Sequence, residues 1–158
     1  KMMNQLETQK MSETIRTQIG QLMDEAFFYA NVEATSREEI LQQMGSHLEA
    51  AGIVTEDFLP SVMKRESLSS TDFDYSIAIP HPLHPSSKRS MISIAVLREP
   101  IQWNHFPVKL VILLALKEED MEFMQLFLRW LGKQLDSPDK MMCLLEAKNV
   151  ESFIQAIR

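Results

Sequence analysis

A chain of 158 residues has the length of one ordinary domain and can bury a continuous core without disulfides or metals. Apolar residues at 45% and charged residues at 24% exclude a largely disordered chain. A net charge of −6 excludes a general nucleic-acid-binding surface, which needs a basic excess. The single cysteine, Cys143, rules out an intramolecular disulfide and a Cys-rich zinc cluster, and fits a reducing compartment. The longest apolar run, over residues 108–116, carries Lys109 and falls far short of the ~20 residues that span a bilayer. No apolar leader opens the sequence. The expectation is a soluble, cytoplasmic domain that neither inserts in a membrane nor contacts nucleic acid directly.

Residues 1–25 are polar and rich in Gln, Thr and Glu, with Ile15, Ile19, Leu22 and Met23 at helical spacing that begins near Met11. This segment reads as a helical lead-in or linker, and residues 26–158 as the domain proper. Phe27, Phe28, Tyr29 and Val32 then mark a first strand over 26–33. Ser36 and Glu39 have capping-box spacing, and Ile40, Leu41, Met44, Leu48 and Ala51 share one face of the helix that follows. Gly52 supplies its left-handed stop. A second helix over 55–66 carries Phe58, Leu59, Val62 and Met63, with Pro60 tolerable in its first turn if Asp57 is the cap.

The period then changes. Residues 76–80, 91–97 and 108–116 are β-type runs separated by prolines, and the last is apolar enough to be a central strand. After Glu118-Glu119-Asp120 the helical period returns, with Phe127, Leu128, Leu131 and Leu135 on one face. Asp136-Ser137-Pro138 starts a short helix, and residues 150–157 a last one. The order is strand, two helices, three strands, three helices. The fold class is α+β, a mixed sheet with helices on both faces in an α/β/α sandwich.

Four histidines are the candidates for chemistry. His47 lies inside the first capped helix beside Leu48 and reads as a surface or boundary residue. His105 lies between two strands and reads as a turn residue. His81 and His84 stand in Ser76-Ile-Ala-Ile-Pro-His81-Pro-Leu-His84-Pro-Ser-Ser-Lys-Arg89. An apolar strand stops at a proline and delivers an imidazole, followed by hydroxyls and cations. Such a histidine suits transfer of an anionic group, because its neutral lone pair is available near pH 7. The bland alternative is a satisfied strand-end histidine. A shared metal on His81 and His84 is disfavoured, since the prolines forbid a helix and the loop offers no carboxylate or Cys. No nucleophile-elbow signature supports a Ser–His–acid hydrolase. No glycine-rich phosphate loop is present either. The expectation is that the domain uses neither a metal nor a cofactor.

Ser76-Ile-Ala-Ile-Pro-His81 resembles the Gly-x-Ala-x-Pro-His phosphorylation motif of the mannitol/fructose-type enzyme IIA domains of the bacterial sugar phosphotransferase system. Arg65-Glu66 followed by Thr71 resembles that family's Arg-Glu…Thr segment. Gly52-Ile-Val-Thr55 through Phe58 resembles its helix–turn–helix junction. Asp136-Ser-Pro138 with Leu144-Leu-Glu-Ala-Lys148 resembles its C-terminal helices. The resemblance implies that His81 accepts a phosphoryl group and that Arg65 neutralises phosphate oxygens. Thr71 and His84 are the expected phosphate-binding neighbours. Apart from the resemblance, Arg65 reads as a solvated charge at a helix end.

Two departures matter. Ser76 replaces the motif's glycine. Transport members also carry a second active-site histidine at the start of the long helix, and that place falls at about Met124 here. A thioether cannot hold phosphate or act as a protonated donor. The loss favours a regulatory version of the domain, of the kind found at the C-terminus of transcription regulators and antiterminators, with further regulatory domains upstream in the same polypeptide. The expected partner is the histidine phosphocarrier protein or an enzyme IIB domain. The competing readings are a working phosphocarrier in fructose or mannitol transport, and a degenerate protein-interaction domain that never binds phosphate.

Overall fold

Apolar residues at consecutive positions along the middle runs need cover on two faces, and the chain supplies helices for both. The computed structural model describes residues 4–73 and 76–157. The first three residues of the expected lead-in and Arg158, the last of the expected domain, lie outside them. Among the described residues five strands form one sheet: β1 (Phe28–Val32), β2 (Asp72–Phe73), β3 (Ile77–Ala78), β4 (Met91–Gln102) and β5 (Pro107–Ala115). Their order across the sheet is β1-β4-β5-β3-β2. β1 pairs parallel with β4 and β3 with β5, whereas β4–β5 and β2–β3 are antiparallel. The helices are α1 (Gln5–Gln21), α2 (Arg37–Ala50), α3 (Phe58–Leu68), α4 (Met121–Gln134), α5 (Pro138–Leu145) and α6 (Val150–Ala156). The expected mixed sheet between helical layers is the observed one.

The pleat divides the core. Ile92, Ile94 and Val96 of β4, with Leu110, Ile112 and Leu114 of β5, are buried with Phe127, Trp130, Leu144 and Phe153 of the C-terminal helices. Ala95, Leu97, Val111, Leu113 and Ala115 face the other way, onto Ile40, Leu41, Met44 and Leu48 of α2 and Phe58 and Val62 of α3. Each such large apolar side chain contributes about 1.5–3 kcal/mol on burial. The pairing of Ile94 with Ile112 and Ala95 with Val111 fixes this register, since a one-residue slip would exchange the two faces. Ser93, wholly buried in β4, donates its hydroxyl hydrogen to the Phe27 carbonyl at 3.1 Å.

Local signals act largely as expected. Ser36 caps α2 by accepting the Glu39 N–H at 3.1 Å, but Glu39 turns its carboxylate to the Thr35 hydroxyl rather than closing the capping box. Gly52, at φ 76°, ends α2 while the Ile53 N–H reaches back to the Leu48 carbonyl at 2.9 Å. Asp57 occupies the N-cap of α3 without a side-chain hydrogen bond.

Two features add to the sequence reading. The edge strand β2 is an addition, two residues long and without a pattern of its own. The lead-in is helical, and its second half is part of the core. Ile15, Ile19 and Met23 are buried with Phe123, Phe127 and Phe153, and the Ile92 N–H donates to the Leu22 carbonyl at 2.7 Å.

Candidate functional site around His81

The short strand β3 enters the sheet beside β5, and the pairing continues to Pro80, whose carbonyl accepts the Leu114 N–H at 3.0 Å. Proline donates nothing to the ladder, so the strand stops there and His81 emerges at the sheet's end. Its Nδ1 lies 3.0 Å from the Ile79 carbonyl oxygen. A carbonyl only accepts, so in the neutral ring Nδ1 carries the proton and Nε2 presents a lone pair. The ring is half-buried. Burial holds the His81 pKa below the ordinary histidine value; the Ile79 carbonyl opposes this, the Arg65 charge adds to it, and the Glu66 carboxylate opposes it.

The loop after His81 is stapled to the α2–α3 junction. Ser61 Oγ, on α3, accepts the N–H groups of Leu83 at 2.8 Å and His84 at 3.4 Å. The Thr55 N–H donates to the Ser86 carbonyl at 3.0 Å, and the Lys88 N–H to the Ile53 carbonyl at 2.8 Å. A bridge between Val54 and Ser87 completes the attachment. Beyond the ring, Pro82, Pro85, Leu114, Leu116, Met121 and Met124 line one narrow slot with His81. Met124 reaches it because the face of α4 carrying Phe123, Phe127, Trp130 and Leu131 is turned into the core.

The other residues expected at the site fall in three places. Arg65, in the last turn of α3, acts on His81 through its charge while its guanidinium donates to the Ser69 carbonyl. Thr71 is buried with its hydroxyl donating to Glu66. His84 is exposed, attached to Ser61 through its backbone alone. Three groups that shape the site have no role in the sequence reading, although it names Glu66 in the Arg-Glu…Thr segment. The Ile79 carbonyl and Ser61 Oγ leave no trace in a sequence. Glu66 does leave one: it follows Phe58 and Val62 at four-residue spacing, a charged residue on the apolar stripe of α3.

Roomier clefts lie elsewhere. One of about 620 Å³ is lined by Asn31, Arg98, Lys109 and Lys148, and one of about 540 Å³ by Cys143, Asn149 and Gln155. Neither includes His81. Among the described residues no three His, Cys, Asp or Glu side chains gather as metal ligands. No described helix is long and apolar enough to cross a membrane.

Comparison with known proteins places this arrangement. The probable licABCH operon regulator of Bacillus subtilis (strain 168) is 32% identical over 118 residues, covering 75% of this chain and 18% of that protein. Transcriptional regulator ManR of the same organism is 33% identical over 122 residues, covering 77% and 19%. The chain thus spans about a fifth of the length of these curated relatives. The solved complex of enzyme IIAMTL and phosphorylated enzyme IIBMTL from Escherichia coli shares the fold, with a TM-score of 0.73 at 19% identity over 86% of this chain and 98% of that one. The family model for the phosphoenolpyruvate-dependent sugar phosphotransferase system, EIIA 2, matches residues 21–158, which take in the whole sheet, helices α2 to α6 and His81. The chain belongs to that family.

Proposed function

We propose that this chain is a phosphohistidine-accepting regulatory domain of the sugar phosphotransferase system, with His81 as the acceptor. The observation that carries the reading is the hydrogen bond from His81 Nδ1 to the Ile79 carbonyl, because it leaves Nε2 as the free nucleophile. In the transfer, the Nε2 lone pair attacks phosphorus as the bond from phosphorus to the donor's ring nitrogen breaks. Nδ1 keeps its proton throughout, donating it to the Ile79 carbonyl. Arg65 swings from Ser69 to meet the phosphoryl oxygens, for which its planar fork is suited. Thr71 and the exposed loop residue His84 are the phosphate-binding neighbours in this reading.

The regulatory assignment rests on Met124 and on the named regulators to which the chain is similar. A domain without a second imidazole stores a phosphoryl group rather than passing it on. The donor is the histidine phosphocarrier protein, an enzyme IIB domain is the alternative partner, and the response passes to regulatory domains elsewhere in the same polypeptide. The single cysteine suits a cytoplasmic setting. Incubation with phosphoenolpyruvate and the general phosphotransferase proteins tests this. The expected product is an acid-labile, base-stable adduct that His81→Ala abolishes and His84→Ala leaves largely in place. Labelling that survives His81→Ala overturns the assignment.

A further inference from the structure

Glu66 is a carboxylate only 3% exposed, in the last turn of α3 and directly after Arg65. A carboxylate so far from water is costly unless donors surround it. Three do. The Thr71 N–H donates to Oε2 at 3.1 Å, the Thr71 hydroxyl to Oε1, and the indole Nε1–H of Trp103 to Oε2 at 3.2 Å. These donors come from separate parts of the chain: the entry to β2, and the turn after β4.

The contacts continue toward the nucleophile. Thr71, held at both its N–H and its hydroxyl, presents its carbonyl to the Ile79 N–H at 3.3 Å. Ile79 in turn presents its own carbonyl to His81 Nδ1 at 3.0 Å. Each link fixes the backbone that makes the next. Asp72 secures the same segment from the other side, since its Oδ2 accepts the N–H groups of Asn104, His105 and Phe106 at 3.2, 2.7 and 2.8 Å.

We infer that Glu66 is a positioning residue for His81: through Thr71 and Ile79 it holds the carbonyl that keeps the ring proton on Nδ1 and the lone pair on Nε2. A histidine left to itself in water favours the opposite tautomer, so the protein must impose this one. The consequence for phosphorylation rests on the acceptor reading above; the tautomer itself does not.

Ring-nitrogen NMR of the ¹⁵N-labelled chain, without any phosphodonor, reads the tautomer directly. The parent chain should show the Nδ1–H form of His81. Glu66→Gln, which cannot accept all three donors, should shift the ring toward the Nε2–H form. Thr71→Val should do the same, and Thr71→Ser should keep the parent signature. Trp103→Phe removes one donor with little loss of shape and should give a smaller shift of the same sign. Phosphorylation of Glu66→Gln should slow about tenfold, the scale of one net hydrogen bond. If Glu66→Gln fails to fold, Thr71→Val decides. Folded Glu66→Gln or Thr71→Val protein with an unchanged Nδ1–H signature overturns the inference. A parent chain that shows the expected tautomers but accepts no phosphoryl group supports the positioning role and overturns the acceptor reading instead.

Discussion

Met124 and His81 line the same slot, one from the first turn of α4 and the other from the end of the β3 pairing. A thioether there offers phosphate no proton. The wall opposite the His81 ring is therefore apolar.

Met124→His should place a donor at that wall. The expected outcome is faster phosphoryl transfer from His81 to a cognate enzyme IIB acceptor, with the loading of His81 little changed. Single-turnover transfer assays check this. Rapid onward transfer by the unmodified chain would make it a transport component.

Arg65 contributes through charge. Arg65→Ala should slow phosphorylation by roughly ten- to a hundredfold, since a charge-assisted contact is worth about 1.5–3 kcal/mol. It should also raise the His81 pKa, because the Arg65 charge is one of the causes of its depression. NMR titration of the ring and a rate measurement, made on the same variant, should move together. A slower rate with an unmoved titration would mean that Arg65 serves the donor protein and not the ring.

Asp72 sets an acid limit on stability. Burial would raise its carboxyl, but the His105 and Phe106 N–H groups, donating to Oδ2 at 2.7 and 2.8 Å, hold it below the ordinary value. A carboxyl depressed in the folded state contributes stability at neutral pH that is lost as pH falls through the folded value. Urea denaturation of the parent chain should therefore weaken below about pH 4. Asp72→Asn should be less stable at neutral pH and should show a flatter acid limb. Parallel pH profiles for the two proteins would remove Asp72 from this role.

Ser76 sits at φ 64°, in the left-handed region where a glycine is at ease, and its carbonyl accepts the N–H groups of Lys109 at 2.8 Å and Leu110 at 2.9 Å. The glycine of the motif that this segment resembles thus has a backbone reason. Ser76→Gly should stabilise the chain by about 0.5–1 kcal/mol, read as a higher urea midpoint at unchanged slope. A lower midpoint would show that the serine side chain compensates the strain.

The lead-in is testable by proteolysis. Cleavage should begin in the first half of α1, where Leu6 is exposed, and stop short of the buried Ile15. Ile19→Ala should cost about 2–4 kcal/mol, as expected for a wholly buried side chain. Cleavage that runs freely to residue 25 would return the whole segment to the status of a linker.

Much of this could be read from residues alone, for reasons that differ by element. The buried strand β5 and the apolar face of α4 announce themselves because burial acts on every residue of a long run. The end of β3 is legible because proline stops a ladder. By contrast β2 has two residues, too few for any period, and exists because Asp72 and Thr71 find partners some 30 residues away in sequence or across a helix end. Ile15 and Ile19 have helical spacing, but spacing cannot say which surface a helix will meet. The proposed acceptor could be named from the motif it resembles. The Ile79 carbonyl that prepares its ring could not, since every residue has a carbonyl.

The attachment of the loop after His81 to Ser61, Ile53 and Thr55 bears on how a phosphoryl group would be noticed. A loop held at five backbone positions is not free to act as a lid, and its ordering entropy was lost when the domain folded. Loading His81 would then change the shape of this surface little and its charge greatly, by about −1.5 to −2 if phosphohistidine resembles other phosphorylated side chains. A neighbouring domain reading that surface would respond to an electrostatic sign written on a rigid face, and salt should weaken the message more than temperature does.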